Sequence, residues 1–195
     1  MEDLIWSATL AEFREKVAGT DPLPAGVAVS AVTASLALAL LIKVLEITRG
    51  RKSFAGDAQQ IAALIEAARR ESVELARLAD EDIRVFNRYM DCVRMPKTPE
   101  RELAMEAAMR EAIRVPMDSA RSAVRGLNIC REASSIGVAG LTAADLGAAA
   151  ALLSGAIDAM LLSVESNLRE IPGDNPLRDE IRAELSGFRS LTQMS

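Results

Sequence analysis

Histidine is absent from this 195-residue chain. Its absence excludes Ser-His and Cys-His nucleophile pairs and histidine-ligated zinc, and it removes the commonest general base. Acid–base chemistry is left to Asp, Glu, Lys, the single tyrosine Tyr89, or bound water. Cysteine is nearly absent too. Cys92 and Cys130 both fall inside predicted helices and in no metal-ligand spacing, so the expectation is free thiols, a reducing cytoplasmic setting and no metal site. Aromatic residues number six, the net charge is −5, and no basic tract exists. Nucleic acid is therefore a poor candidate partner. Lysine is scarce at four, Lys16, Lys43, Lys52 and Lys97, against 19 arginines. Most of those arginines stand beside Glu or Asp at helical spacing, as solvated ion pairs do. The amino terminus lacks a basic start followed by an apolar run, so no secretory signal is expected.

What remains is rich in Ala and Leu and poor in strand formers. Half of the residues are apolar, which suffices for a core. The expected fold is all-α: a helical bundle of long antiparallel helices around Ala-rich central helices, in one domain covering 1–195. The stretch from Pro22 to Ile42 carries no charge and opens from a Pro-Leu-Pro-Ala-Gly turn into a helix apolar all round. Such a helix must be buried in something. A membrane span, the central helix of a bundle, and a helix whose entry loop holds a ligand all compete. Six Ala among the 18 residues of Ala25–Ile42, and no flanking Trp or Tyr, favour a buried helix over a span.

The remaining elements follow from periodicity and breakers. Thr9-Leu-Ala-Glu12 reads as a capping box opening a short amphipathic helix. Helices are predicted over about 26–48, 56–94, 100–133, 142–168 and 177–192. Pro116 marks a kink in the fourth of these six, and Thr142 to Asp145 a second capping-box-like start. The 56–94 helix carries a stripe spaced by threes and fours: Ile61, Leu64, Ile65, Ala68, Ser72, Leu75, Ala79, Asp82, Phe86, Tyr89, Val93. One member is a carboxylate. Asp82 sits where a core residue belongs, so it is either a general base or half of a buried ion pair.

Taken in order, these motifs resemble the formiminotransferase-cyclodeaminase carboxy-terminal domain family, which includes the stand-alone methenyltetrahydrofolate cyclohydrolases. The matching stretches are Pro22-Leu-Pro24, Gly50-Arg-Lys52, Asp82 to Phe86, Met95-Pro-Lys97, Val115-Pro116, Asp145 and Asn167-Leu168. The resemblance implies an all-helical homodimer, without a membrane, acting on a one-carbon unit carried by a tetrahydrofolate derivative. It implies Asp82, Asp145 and Lys97 as catalytic candidates, and Pro24, Ala25, Gly26, Val27, Lys52 and Asn167 as binding candidates. A chain of this length fits the cyclohydrolase role better than the cyclodeaminase one.

Cyclohydrolysis adds water to an electrophilic amidinium carbon and opens one C–N bond, so it needs a carboxylate for the water and a proton donor for the leaving nitrogen. The departures from the family pattern are Ala25, Val27 and Ala28 where glycine and serine are usual, and Glu165 where arginine is. They carry the alternative reading, a diverged member acting on another small molecule or as a scaffold. Asp145 has a competing role as a helix-end acid. Asp145 and Asn167, 22 residues apart on one helix, are separated by about 33 Å, so a single site takes both only if a dimer partner contributes one.

Overall fold

The computed structural model describes residues 5–170 and 176–192. After a 3-10 turn at Ile5–Ser7 come six α-helices: α1 (Leu10–Ala18), α2 (Gly26–Arg49), α3 (Ala58–Arg94), α4 (Pro99–Ser135), α5 (Leu141–Arg169) and α6 (Pro176–Thr192). No strand occurs among the described residues. The all-α expectation holds, and the helix bounds follow the sequence signals closely. Thr9 accepts from the Glu12 N–H while the Glu12 carboxylate accepts from the Thr9 N–H, so the first capping box forms as read. Pro99 stands at the first position of α4, where its missing N–H costs nothing.

Helices α2, α3, α4 and α5 pack as a four-membered bundle in which each neighbours the next and α5 returns to α2. All adjacent pairs are antiparallel. Ser35 of α2 bonds Ser72 of α3, Glu71 of α3 takes Arg125 of α4, and Gly26 at the start of α2 lies beside Ser163 near the end of α5. The core is built from small and branched side chains: Ala31, Ala34, Leu38, Leu41 and Leu45 on α2, Met117, Ala120 and Leu127 on α4, Leu153, Ile157 and Met160 on α5. Gly126 lets α4 approach α2 and α5 closely, because a Cβ there would lie 2.9 Å from a Leu38 methyl and 3.3 Å from a Leu153 methyl. Helix α6 packs against α5 and α4 through Ile181 and Leu185.

Three details differ from the sequence reading. The stripe on α3 rotates in its second half, where Leu78 and Val85 take the buried positions expected of Phe86 and Val93. There α3 and α4 run past the end of α2, so the old stripe faces an opening instead of a core. The second capping box does not form. Helix α5 starts at Leu141 after Gly140, whose φ of +66° suits glycine. Thr142 is buried, donates to the Ala139 carbonyl and accepts from Arg51, while Asp145 pairs with Lys43 at 3.2 Å. Helix α4 stays continuous through Pro116.

Helices α2 and α5 each contain a stretch apolar and long enough to cross a membrane; within the bundle 61% of that stretch is buried in α2 and 39% in α5. Helix α5 therefore keeps an open apolar side. Gly147, Ala148, Ala151 and Gly155 lie on it, with Leu152 and Leu162 at 44% and 64% exposure.

Candidate functional site

The site is assembled around the first turn of α2. A helix begins with four backbone N–H groups that lack intrahelical partners. The N-cap residue here is Ala25, which has no side chain to offer them. The substitute comes from another helix. The Asp82 carboxylate on α3 accepts a hydrogen bond from the Ala28 backbone N–H. Asp82 thus caps α2 from outside, at the positive end of its dipole.

Two influences act on this carboxyl in opposite senses. Burial is the larger and raises it from the ordinary 3.8 to about 6; the Ala28 hydrogen bond pulls the other way. No arginine or lysine pairs with it among the described residues, so the buried ion-pair reading of Asp82 is not realised. Its neighbour Glu81 takes the arginines on the outer face, Arg88 at 2.8 Å and Arg84 at 3.4 Å, and those hydrogen bonds hold it below the usual carboxylate range. A half-buried acid titrating near neutrality is suited to proton transfer.

Asp82 opens on a cavity of about 190 Å³ lined by Val85, Phe86 and Tyr89 of α3, Met109 and Ala112 of α4, and Asn167 and Glu170 at the end of α5. The walls are mainly apolar and the polar groups few, the pattern of a small-molecule pocket. Asn167 is held by its side-chain Nδ2, which donates to the Ala112 carbonyl at 2.7 Å. Its Oδ1 is then left as an acceptor on a residue that lines the pocket.

The residues expected at the site separate into three groups. Pro24, Ala25, Gly26, Val27, Asp82 and Asn167 gather at the end of the bundle where α2 starts and α5 stops. Val27 is buried, Ala25 and Gly26 are exposed, and the Leu23–Pro24 peptide bond is cis. None of Ala25, Gly26 and Val27 has positive φ, so the backbone of this turn does not require further glycines. Lys52 and Asp145 lie at the other end. Lys43, the partner of Asp145, is 17 residues beyond Gly26 on α2, about 25 Å along the axis. Lys97 is exposed in the turn between α3 and α4, beyond the cavity.

Glu165 lies on the opposite side of the last turns of α5 from Asn167 and forms an ion pair with Arg189 of α6, beside Arg169, Arg178 and Arg182. Its negative charge is therefore neutralised away from the Asp82 cavity. Sequence reasoning missed Met109, Ala112 and Glu170 as cavity walls and placed Phe86 and Tyr89 in the core. Among the described residues no group of three or more His, Cys, Asp or Glu side chains is placed to hold a metal ion.

Fold and cavity together define an all-α bundle that holds a carboxylate of raised pKa in a small, mainly apolar pocket, a class suited to proton transfer on a small molecule. The chain belongs to the formiminotransferase-cyclodeaminase family, whose model matches residues 9–187. It is 27% identical over 192 residues to the formimidoyltransferase-cyclodeaminase of Rattus norvegicus, covering 96% of this chain and 35% of that one. It is 27% identical over 128 residues to the methenyltetrahydrofolate cyclohydrolase of Methylorubrum extorquens, covering 64% of this chain and 59% of that protein. The crystal structure of formiminotetrahydrofolate cyclodeaminase from Thermotoga maritima superposes with a TM-score of 0.87 at 26% identity, over 97% of this chain and 92% of that one. The chain spans about a third of the length of the animal relatives it matches.

Proposed function

We propose that this chain is a folate one-carbon enzyme that acts on a C–N bond of a tetrahydrofolate derivative, as a methenyltetrahydrofolate cyclohydrolase or a formiminotetrahydrofolate cyclodeaminase. The observation that carries the reading is Asp82, a carboxylate raised to about 6 and open to a cavity of about 190 Å³. In cyclohydrolysis Asp82 takes a proton from water as the oxygen attacks the methenyl carbon, and the proton passes on to the departing nitrogen. In cyclodeamination the same carboxyl relays a proton to the leaving ammonia. The methenyl carbon is already electrophilic, so the chemistry written this way uses only protein groups and water.

The test is loss of methenyltetrahydrofolate absorbance on adding purified protein, with ammonia release from formiminotetrahydrofolate assayed in parallel. Acceleration of either supports the reading and says which reaction the chain runs. No acceleration over buffer, with no folate-dependent rise in melting temperature, overturns it in favour of a diverged member of the family.

The working form in this reading is a homodimer joined through the open side of α5. With the two-fold axis perpendicular to α5, one end of a copy lies against the other end of its partner. Asp82 and Asn167 would then meet the partner's Lys52 and Asp145, which one chain cannot bring together. Mixing Asp82→Asn with Asp145→Asn subunits tests this. If the two single variants are inactive, re-assorted dimers should recover activity approaching about a quarter of the wild-type level, because half are mixed and each has one intact site. A mixture as inactive as its parents removes the shared site.

A further inference from the structure

The hydrogen bond that holds Asn167 reaches a carbonyl 55 residues away in sequence. In an α-helix the N–H of each residue bonds the carbonyl four positions earlier. The carbonyl of Ala112 should therefore receive the N–H of residue 116. That residue is Pro116, inside α4, and proline has no N–H to give. The proline ring also crowds the carbonyl four residues back and turns it away from the helix axis. A half-buried carbonyl left in this way needs another donor. The donor is Nδ2 of Asn167, at 2.7 Å. Because a carbonyl only accepts, the amide must present its nitrogen to Ala112, and Oδ1 takes the opposite direction. Ala112, Asn167 and Asp82 line the same cavity.

We propose that Pro116 is a positioning residue of this site. It frees the Ala112 carbonyl, the carbonyl fixes the Asn167 amide, and Asn167 presents an acceptor oxygen to an N–H of the bound molecule. Pro116 is itself buried and does not line the cavity, so its effect on a ligand passes through Asn167. The inference rests on the Asp82 cavity being the binding site, and it adds a group of the ligand, an N–H donor, to that reading.

The experiment uses Pro116→Ala in the full chain, which restores an N–H to compete for the Ala112 carbonyl. Side-chain amide signals of Asn167 in 15N NMR spectra should be shifted and protected from exchange in the wild type and should lose both properties in P116A. This readout needs no ligand, so it stands apart from the folate reading. With methenyltetrahydrofolate as probe, P116A should raise KM about tenfold while leaving the melting temperature equal or higher. N167A should raise KM as much, and the double variant no further. Unchanged Asn167 amide signals in P116A overturn the proposal, as does a double variant whose effects multiply. If the wild type binds no folate but the amide signals respond as described, the function reading fails and the positioning role survives. If P116A fails to fold, Asn167→Leu decides. It strands the Ala112 carbonyl and should lower the melting temperature by several degrees, and an unchanged value overturns the proposal.

Discussion

Replacing Asp82 by Asn should make this protein more stable and less active, and the gain in stability should depend on pH. Burial lifts the carboxyl from 3.8 to about 6 in the folded chain. The folded value is the higher one, so folding favours the protonated acid. The stability tied to this group is full below pH 4 and is lost as pH rises through 6. The gap between the two values corresponds to a cost of about 3 kcal/mol at pH 8 and about 0.5 kcal/mol at pH 4. Asparagine has the same shape, and its Oδ1 can still accept from the Ala28 N–H, so D82N removes the cost of the charge and keeps the cap. For a chain of this size each kcal/mol moves the melting temperature by about 2–4 °C. D82N should therefore melt on the order of 6–12 °C higher than wild type at pH 8, and within about 2 °C of it at pH 4. Calorimetric or circular-dichroism melts at the two pH values measure this directly. The wild-type rate should rise with an apparent pKa near 6, and D82N should show no such rise and little turnover. An equal gain at both pH values, or a loss at pH 8, would refute the claim that an unpaired buried charge sits at residue 82.

Three further outcomes follow from packing and burial. Gly126→Val should destabilise the fold by about 2–4 kcal/mol in chemical denaturation, because even a Cβ there would meet a Leu38 methyl at 2.9 Å. Burial pushes the Cys130 thiol up to about 12, so a thiol reagent at pH 8 should label Cys92 first and reach Cys130 only on unfolding; rapid labelling of both would contradict the packing of α4. In the proposed homodimer, Leu162→Glu on the open side of α5 should leave the helical content of the subunit intact while converting a wild type that sediments as a dimer into a monomer. An unchanged sedimentation coefficient, or a wild type that already sediments as a monomer, would overturn the α5 dimer face.

Much of the fold was legible because it depends on local rules. The capping box at Thr9, the prolines at 96 and 99 that end α3, and the small-residue faces of α2 and α5 all act within a few residues of themselves. Asp82 was legible for a similar reason: a carboxylate on an apolar stripe breaks a pattern that can be counted. The rest depends on where helices end relative to one another, which periodicity does not encode. Phe86 and Tyr89 look like core residues until α2 stops short and leaves their face uncovered. Thr142 and Asp145 look like a cap until Gly140 begins the helix earlier and Arg51 and Lys43 claim their side chains. Val115-Pro116 and Asn167 could be matched to the family pattern separately, but their connection through the Ala112 carbonyl crosses two helices and has no trace in spacing.

Three departures from local rules therefore meet at one place. Helix α2 begins without a capping side chain of its own, α3 carries a carboxylate where a core residue belongs, and α4 carries a proline in its interior. Each is unfavourable alone: unpaired N–H groups, a desolvated charge, a lost backbone hydrogen bond. Two offset each other, since Asp82 caps α2, and the third is offset by Asn167. Neither repair restores an ordinary core, because Asp82 keeps its raised pKa and Asn167 keeps a free acceptor, both on residues that line one cavity. A sequence selected for stability alone would resolve these conflicts with a capping Ser at 25, an apolar residue at 82 and Ala at 116. Their concentration around a single cavity is what a chemical site built into an otherwise locally consistent bundle leads one to expect. The Asp82 and Pro116 variants test that view from opposite sides, since each should relieve a local conflict and lose function.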